Sequence, residues 1–125
     1  MKQLAIKENH LYQKAYQKGK RCICNNVSVF VLRDFASERI RKSDPMKRRH
    51  NRVGIASPKK IGGAVARNRA RRIIREAYRL TDLERPVLRG NLIVITAREG
   101  ATLCKMQDVK KDLAYAFTKL EMFAK

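Results

Sequence analysis

SPKKIGGAVARNRARRIIREAYR, residues 57 to 79, decides how this chain folds. Set at 100° intervals from Gly62 or Gly63 to about Thr81, the residues Ala66, Ala70, Ile73, Ile74, Ala77 and Leu80 fall on one arc, which predicts an amphipathic helix. The rest of its surface is cationic. Arg67, Arg71, Arg75 and Arg79 follow one another at i+4, Arg69 and Arg72 flank them, and Glu76 is the single acid. Like charges stacked in this way destabilise a helix by roughly a few tenths of a kcal/mol per pair, a repulsion that a bound polyanion relieves. Guanidinium groups deliver planar, bidentate hydrogen bonds to phosphate oxygens, and an asparagine among them, Asn68, suits a base edge, a ribose hydroxyl or a backbone turn. The two glycines ahead of the helix allow close backbone approach and free the N-terminal amides for a phosphate. Composition alone leaves RNA and DNA equally open as partners.

Outward from this helix, Arg52 to Ala56 reads as the strand that leads into it. Beyond Pro86 and Gly90, the run Leu92-Ile93-Val94-Ile95 is continuously apolar, as in a strand covered on both faces. Met106, Val109, Leu113, Ala116, Phe117 and Leu120 then recur at three or four residues and predict a C-terminal helix. Near the N-terminus, Asn9 is a candidate N-cap and Gly19 a candidate stop for a short helix bearing Leu11, Tyr12, Ala15 and Tyr16. Cys22 to Arg33, rich in β-branched residues, predicts one strand or two short ones. The cationic segment Phe35 to Arg52 contains the turn pair Asp44-Pro45, and the expectation there is a strand, a loop and the approach to the next strand. The expected order is αβββαβα.

The 125 residues fit a single domain, 1–125, and 44% hydrophobic content argues against a disordered basic tail. Formal net charge is +19, and Arg39 to Arg79 supplies +13 of it, with fifteen Lys and Arg against only Asp44 and Glu76. Such a patch is a binding surface for a polyanion. No apolar run approaches a membrane span, and the N-terminus lacks the apolar core of a secretory signal, so the expectation is a cytoplasmic protein without a membrane partner. Cys22, Cys24 and Cys104 have neither the number nor the spacing of a metal or disulfide framework, and His10 and His50 stand apart, so no metal site is expected. The eleven acids are scattered; the closest pair, Asp82 and Glu84, reads as a helix end rather than a nuclease metal site.

The segment KKIGGAVARNRARRIIREAYR resembles the signature of the bacterial ribonuclease P protein subunit, in which an arginine-asparagine-arginine motif opens a helix after a Lys-Lys-x-Gly loop. The match falls on Lys59, Lys60, Gly62, Ala64, Val65, Arg67, Asn68, Arg69, Arg72, Arg75 and Glu76. RVGIAS (52 to 57), ENHLYQKAYQKGK (8 to 20) and GNLIVITAR (90 to 98) resemble the family's preceding strand, first helix and following strand. Departures are Pro58, Gly63 and Arg71, of which Pro58 bears on the shape of the phosphate-binding loop. The resemblance implies an α/β (α+β) two-layer sandwich with an approximately four-stranded mixed sheet, three helices and a left-handed crossover. It implies a subunit of the endonuclease that removes the 5′ leader of precursor tRNA, with catalysis in the RNA subunit and its Mg2+. It implies no catalytic residue and no metal ion in the protein, and no obligate protein partner. The residues it assigns to the catalytic RNA are Lys59, Lys60, Arg67, Asn68, Arg69, Arg71, Arg72 and Arg75. Those it assigns to the leader are Tyr12, Tyr16 and Phe30, whose rings suit stacking on unpaired bases. The alternatives left by charge and composition are a ribosomal-type RNA-binding protein and a DNA-binding regulator.

Overall fold

The computed structural model describes residues 4–6, 9–48 and 50–123. In chain order these form β1 (Leu4–Ala5), α1 (Asn9–Lys18), β2 (Lys20–Ile23), β3 (Val27–Arg33), α2 (Ser37–Ser43), β4 (Arg52–Ala56), α3 (Ala64–Glu84), β5 (Asn91–Ala97) and α4 (Met106–Lys119). Short 3-10 turns at Lys59–Ile61 and Glu99–Thr102 precede α3 and α4. The sheet is mixed, with strand order β1-β4-β5-β3-β2. β4 and β5 run parallel, so α3 is the crossover between them, while β3 pairs antiparallel with both β5 and β2. None of the described helices is long and apolar enough to cross a membrane.

Strand alternation divides the side chains between two faces. Val27, Val29 and Val31 of β3 and Ile93, Ile95 and Ala97 of β5 point to one face, where Ala70, Ile74, Ala77 and Tyr78 of α3 and Val109, Leu113, Ala116 and Phe117 of α4 cover them. Removing each large apolar side chain from water contributes about 1.5–3 kcal/mol, which makes this the principal core. Tyr78, Phe117 and Phe123 meet edge to face, with ring centroids 6.1 and 5.8 Å apart. The buried stripe of α3 therefore extends to Tyr78 and Thr81, beyond the arc of small and aliphatic residues. The opposite face carries Phe30, Leu32, Leu92 and Val94, on which α1 lays Leu11, Tyr12, Ala15 and Tyr16. Leu92 to Ile95 are buried throughout because helices cover β5 from both sides.

The α+β sandwich and mixed sheet are as expected, and Cys22 to Arg33 takes the two-strand form of its expectation, as part of β2 and β3. Two differences remain. The sheet gains the two-residue edge strand β1, parallel to β4. Four α-helices stand among the described residues where three were expected, because Ser37–Ser43 is helical rather than extended. Asp34 explains the last difference: its carboxylate accepts the Ala36 N–H at 3.0 Å and its carbonyl accepts the Ser37 N–H at 3.0 Å, which turns the chain out of β3. Glu38 in the first turn and Arg41 and Lys42 in the last complement the helix dipole. Asp44, extended at ψ 126° before Pro45, ends the helix.

Candidate nucleic-acid interface

Pro58, Gly62 and Gly63 shape the approach to α3. Pro58 sits at φ −62°, the value its ring imposes, and its carbonyl accepts the Ile61 N–H at 3.2 Å to close the 3-10 turn. The loop thus accommodates proline without strain and leaves Lys59 and Lys60 exposed. Gly62 follows at φ 154°, ψ −174°, a conformation that side chains disfavour, and Gly63 serves as the N-cap of α3 without a capping side chain. No acid occupies the first turn of this 21-residue helix.

The arginines of α3 do not form one equivalent row. Arg72 and Arg75 are exposed. The exposed Asn68 accepts a hydrogen bond from the half-buried Arg71 through Oδ1, which orients that guanidinium. Arg67 is half-buried, and its Nε is enclosed without a hydrogen-bond partner among the described residues. Arg79 pairs with Glu76 on the surface. Arg69 differs most: its two terminal nitrogens donate to the carbonyls of Thr102 and Cys104 at 2.9 and 3.0 Å. Arg69 therefore ties α3 to the segment entering α4, and its fork is engaged inside the molecule.

Tyr12, Tyr16 and Phe30 converge on the α1 side of the sheet, each half-buried. The Tyr16 and Phe30 rings meet edge to face at 4.9 Å, and the Tyr16 hydroxyl lies 3.1 Å from Thr96 Oγ1. Tyr12 lies over β4, where a Cβ on Gly54 would come within 2.5 Å of its hydroxyl oxygen; only glycine leaves room for that ring. Burial, and next the neighbouring Tyr16, raise the Tyr12 phenol above its ordinary pKa. The rings thus combine core packing with a position beside Thr96, at the edge of a surface cleft.

That cleft contains residues that sequence reading did not single out. Ser28 and Thr96 pair across β3 and β5, Ala56 pairs with Thr96 across β4, and Arg21 pairs with Phe30 across β2. Beyond Thr96 the floor opens into a hollow of about 550 Å³ lined by Ser28, Pro58, Lys60, Thr96 and Arg98. Alternation along β3 places Ser28 on the face of Phe30 and was readable in sequence; Arg21 and Thr96 depend on strand register and were not. Lys60 lies where the cleft meets the approach to α3, joining the two groups of sequence-selected residues.

Most carboxylates among the described residues are engaged with cations or N–H groups. Asp34 pairs with Arg52, Asp44 with His50 and Arg48, Asp82 with Arg89, and Glu84 with Lys110. Burial alone would raise the Asp34 pKa, but hydrogen bonds from Arg52 and the Ala36 N–H hold it below the ordinary 3.8. Among the described residues no three His, Cys, Asp or Glu side chains group as a metal site would require. Cys22 and Cys24 are buried free thiols, and burial foremost pushes the Cys24 thiol to about 12, so it stays protonated.

The family model for ribonuclease P matches residues 1–121. The ribonuclease P protein component of Bacillus cereus is 32% identical over 117 residues, covering 94% of this chain and 90% of that protein. The component from Clostridioides difficile is 32% identical over 108 residues, covering 86% and 83%. Among solved structures, the Staphylococcus aureus RNase P protein superposes with a TM-score of 0.73 at 24% identity, covering 98% of this chain and all of that one. The Thermotoga maritima RNase P protein gives 0.65 at 19% identity, covering 92% and 94%. At those identities the two structures speak to the fold.

Proposed function

The chain belongs to the ribonuclease P protein family, whose role is removal of the 5′ leader from precursor tRNA in partnership with the ribonuclease P RNA, and on that premise we propose a division of labour between the two faces of its sheet. The catalytic RNA is held by α3 and the loop before it, through Lys59, Lys60, Arg67, Asn68, Arg71, Arg72 and Arg75. Half-buried Arg67 near the start of α3 and exposed Arg72 and Arg75 offer guanidinium groups to phosphate oxygens. Arg69, assigned to the same contact by resemblance, acts instead as the staple that fixes α3 relative to α4.

The leader of precursor tRNA lies in the cleft of Tyr12, Tyr16 and Phe30, where unpaired bases stack without strict sequence choice. Ser28 and Thr96 supply hydroxyls on its floor, and Lys60 and Arg98 supply charge where the cleft approaches α3. The observation that carries this reading is the placement of a half-buried aromatic cluster, at the edge of an open hollow, on one side of the sheet and an arginine-rich helix on the other, with Lys60 lining the hollow beside the approach to α3.

Catalysis lies in the RNA subunit and its Mg2+. Asp34, Asp44, Asp82 and Glu84 each face a cation rather than another carboxylate. The protein's part is to neutralise phosphate charge and position the substrate. Reconstitution tests this: the protein alone should leave precursor tRNA intact, and should accelerate cleavage by its cognate RNA at low Mg2+. Cleavage by RNA-free protein would overturn the assignment of catalysis.

A further inference from the structure

The far end of the α1 face carries a second hollow, of about 310 Å³, that neither group of assigned residues uses. His10, Leu11 and Lys14 of α1 form one wall, Phe35 and Arg39 of the β3–α2 connection and α2 form the other, and Leu92 lies at its base. Phe35 is 75% exposed, an unusual position for a phenylalanine, and the Lys14 ammonium sits 4.8 Å from its ring centroid. The ring stands on a fixed support. Asp34, next to it, is 2% exposed, accepts two hydrogen bonds from Arg52 at 2.6 and 2.8 Å, and accepts the Ala36 N–H at 3.0 Å. With Asp34 neutralised by Arg52, Lys14 and Arg39 leave the hollow cationic.

We propose that this hollow is a second leader subsite, in which an unpaired nucleotide stacks on Phe35 while its phosphate meets Lys14 and Arg39. The proposal rests on the reading that the leader follows the α1 cleft. Three observations favour RNA, and the leader in particular. An exposed ring between cations has the composition of a single-strand stacking platform. The hollow shares α1 and β5 with the cleft of Tyr12 and Tyr16, on the sheet face opposite α3. Its polarity along the strands follows from register: Arg52 pairs with Leu92 at this end, whereas Ala56 pairs with Thr96 at the end adjoining Pro58, Lys60 and the start of α3. With the catalytic RNA held at the α3 end, nucleotides near the cleavage site occupy the Thr96 end, and those farther upstream reach Phe35.

The test uses holoenzyme reconstituted with its cognate RNA and precursor tRNAs whose leaders are shortened one nucleotide at a time from the 5′ end. Wild-type affinity should rise in two steps as the leader lengthens. Phe35→Ala should abolish the second step, lowering affinity for long leaders about tenfold and leaving short leaders unaffected. Arg39→Gln should weaken the same step and reduce its salt dependence. Tyr16→Ala should remove the earlier step, so loss of the Tyr16 effect alone would count against the cleft reading while leaving the Phe35 step measurable. An unchanged length profile in Phe35→Ala, an equal loss at every leader length, or weaker binding of the catalytic RNA itself would overturn the proposal. Because Phe35 is exposed, an unaltered melting temperature is expected and confirms that the variant is folded.

Discussion

Arg69 and Arg72 stand three residues apart on α3, yet their guanidinium groups do different work. Arg69 donates to two backbone carbonyls that would otherwise lack those partners, while Arg72 extends into solvent. Charge-assisted hydrogen bonds of the first kind contribute about 1.5–3 kcal/mol, whereas an exposed side chain without partners changes stability by about 0.5 kcal/mol or less. Arg69→Ala is therefore expected to lower the unfolding free energy by about 2 kcal/mol in urea titration, and Arg72→Ala/Arg75→Ala to leave it unchanged while weakening catalytic-RNA affinity. A stability loss of equal size in both would refute the distinction. Sequence showed the cationic residues of α3 but not which were occupied, because the carbonyls that engage Arg69 lie more than thirty residues away. Asp34 supplies a pH test. Its folded-state pKa is depressed, so its contribution is complete above the ordinary 3.8 and is lost as pH falls through the folded value. Stability should decline as acid is added below about 3.8, and Asp34→Asn should flatten that part of the profile while lowering stability at neutral pH. An identical acid profile in the variant would show that Asp34 is not the linked group.

At the scale of elements, β4 and α1 are coupled through Gly54. A methyl at this position would meet the Tyr12 ring at 2.5–2.8 Å, and because the clash is with the end of a rotatable side chain, the ring swings away while the strand remains. Gly54→Ala should accordingly keep the fold, shift melting only slightly, and weaken precursor tRNA binding nearly as much as Tyr12→Ala does. Full precursor affinity in a folded Gly54→Ala protein would contradict that coupling. The elements themselves were legible where the hydrophobic period is strong: α3 from its apolar arc, α4 from its recurrences, and β5 from four consecutive buried residues. α2 was not legible. SERIRKS has only Ile40 as an aliphatic residue, so it has no apolar stripe, and its start depends on hydrogen bonds to Asp34 that periodicity does not register. β1 was equally hidden, since two residues carry no pattern and pair only because β4 offers them a parallel edge.

Across the whole molecule, one sheet separates the two surfaces proposed to face RNA. α3 and α4 cover one face with the main core between them, and α1 partly covers the other, leaving Tyr12, Tyr16 and Phe30 beside an open floor. Charge concentration announced the first surface in sequence, while the second was legible only through resemblance, because three aromatic residues spread over two elements form a cleft only after β3 is registered against β5. If the surfaces act independently, substitutions on one leave the contacts of the other intact. The most direct measurement is the ratio of precursor to mature tRNA affinity in reconstituted holoenzyme carrying Tyr12→Ala or Tyr16→Ala. Each base–ring stack contributes about 1–3 kcal/mol, so the ratio should fall by about tenfold per ring while mature tRNA binding and catalytic-RNA assembly stay within about twofold of wild type. A ratio that stays at the wild-type value, or equal losses for precursor and mature tRNA in a protein of lowered melting temperature, would contradict a leader cleft and return these rings to the core alone.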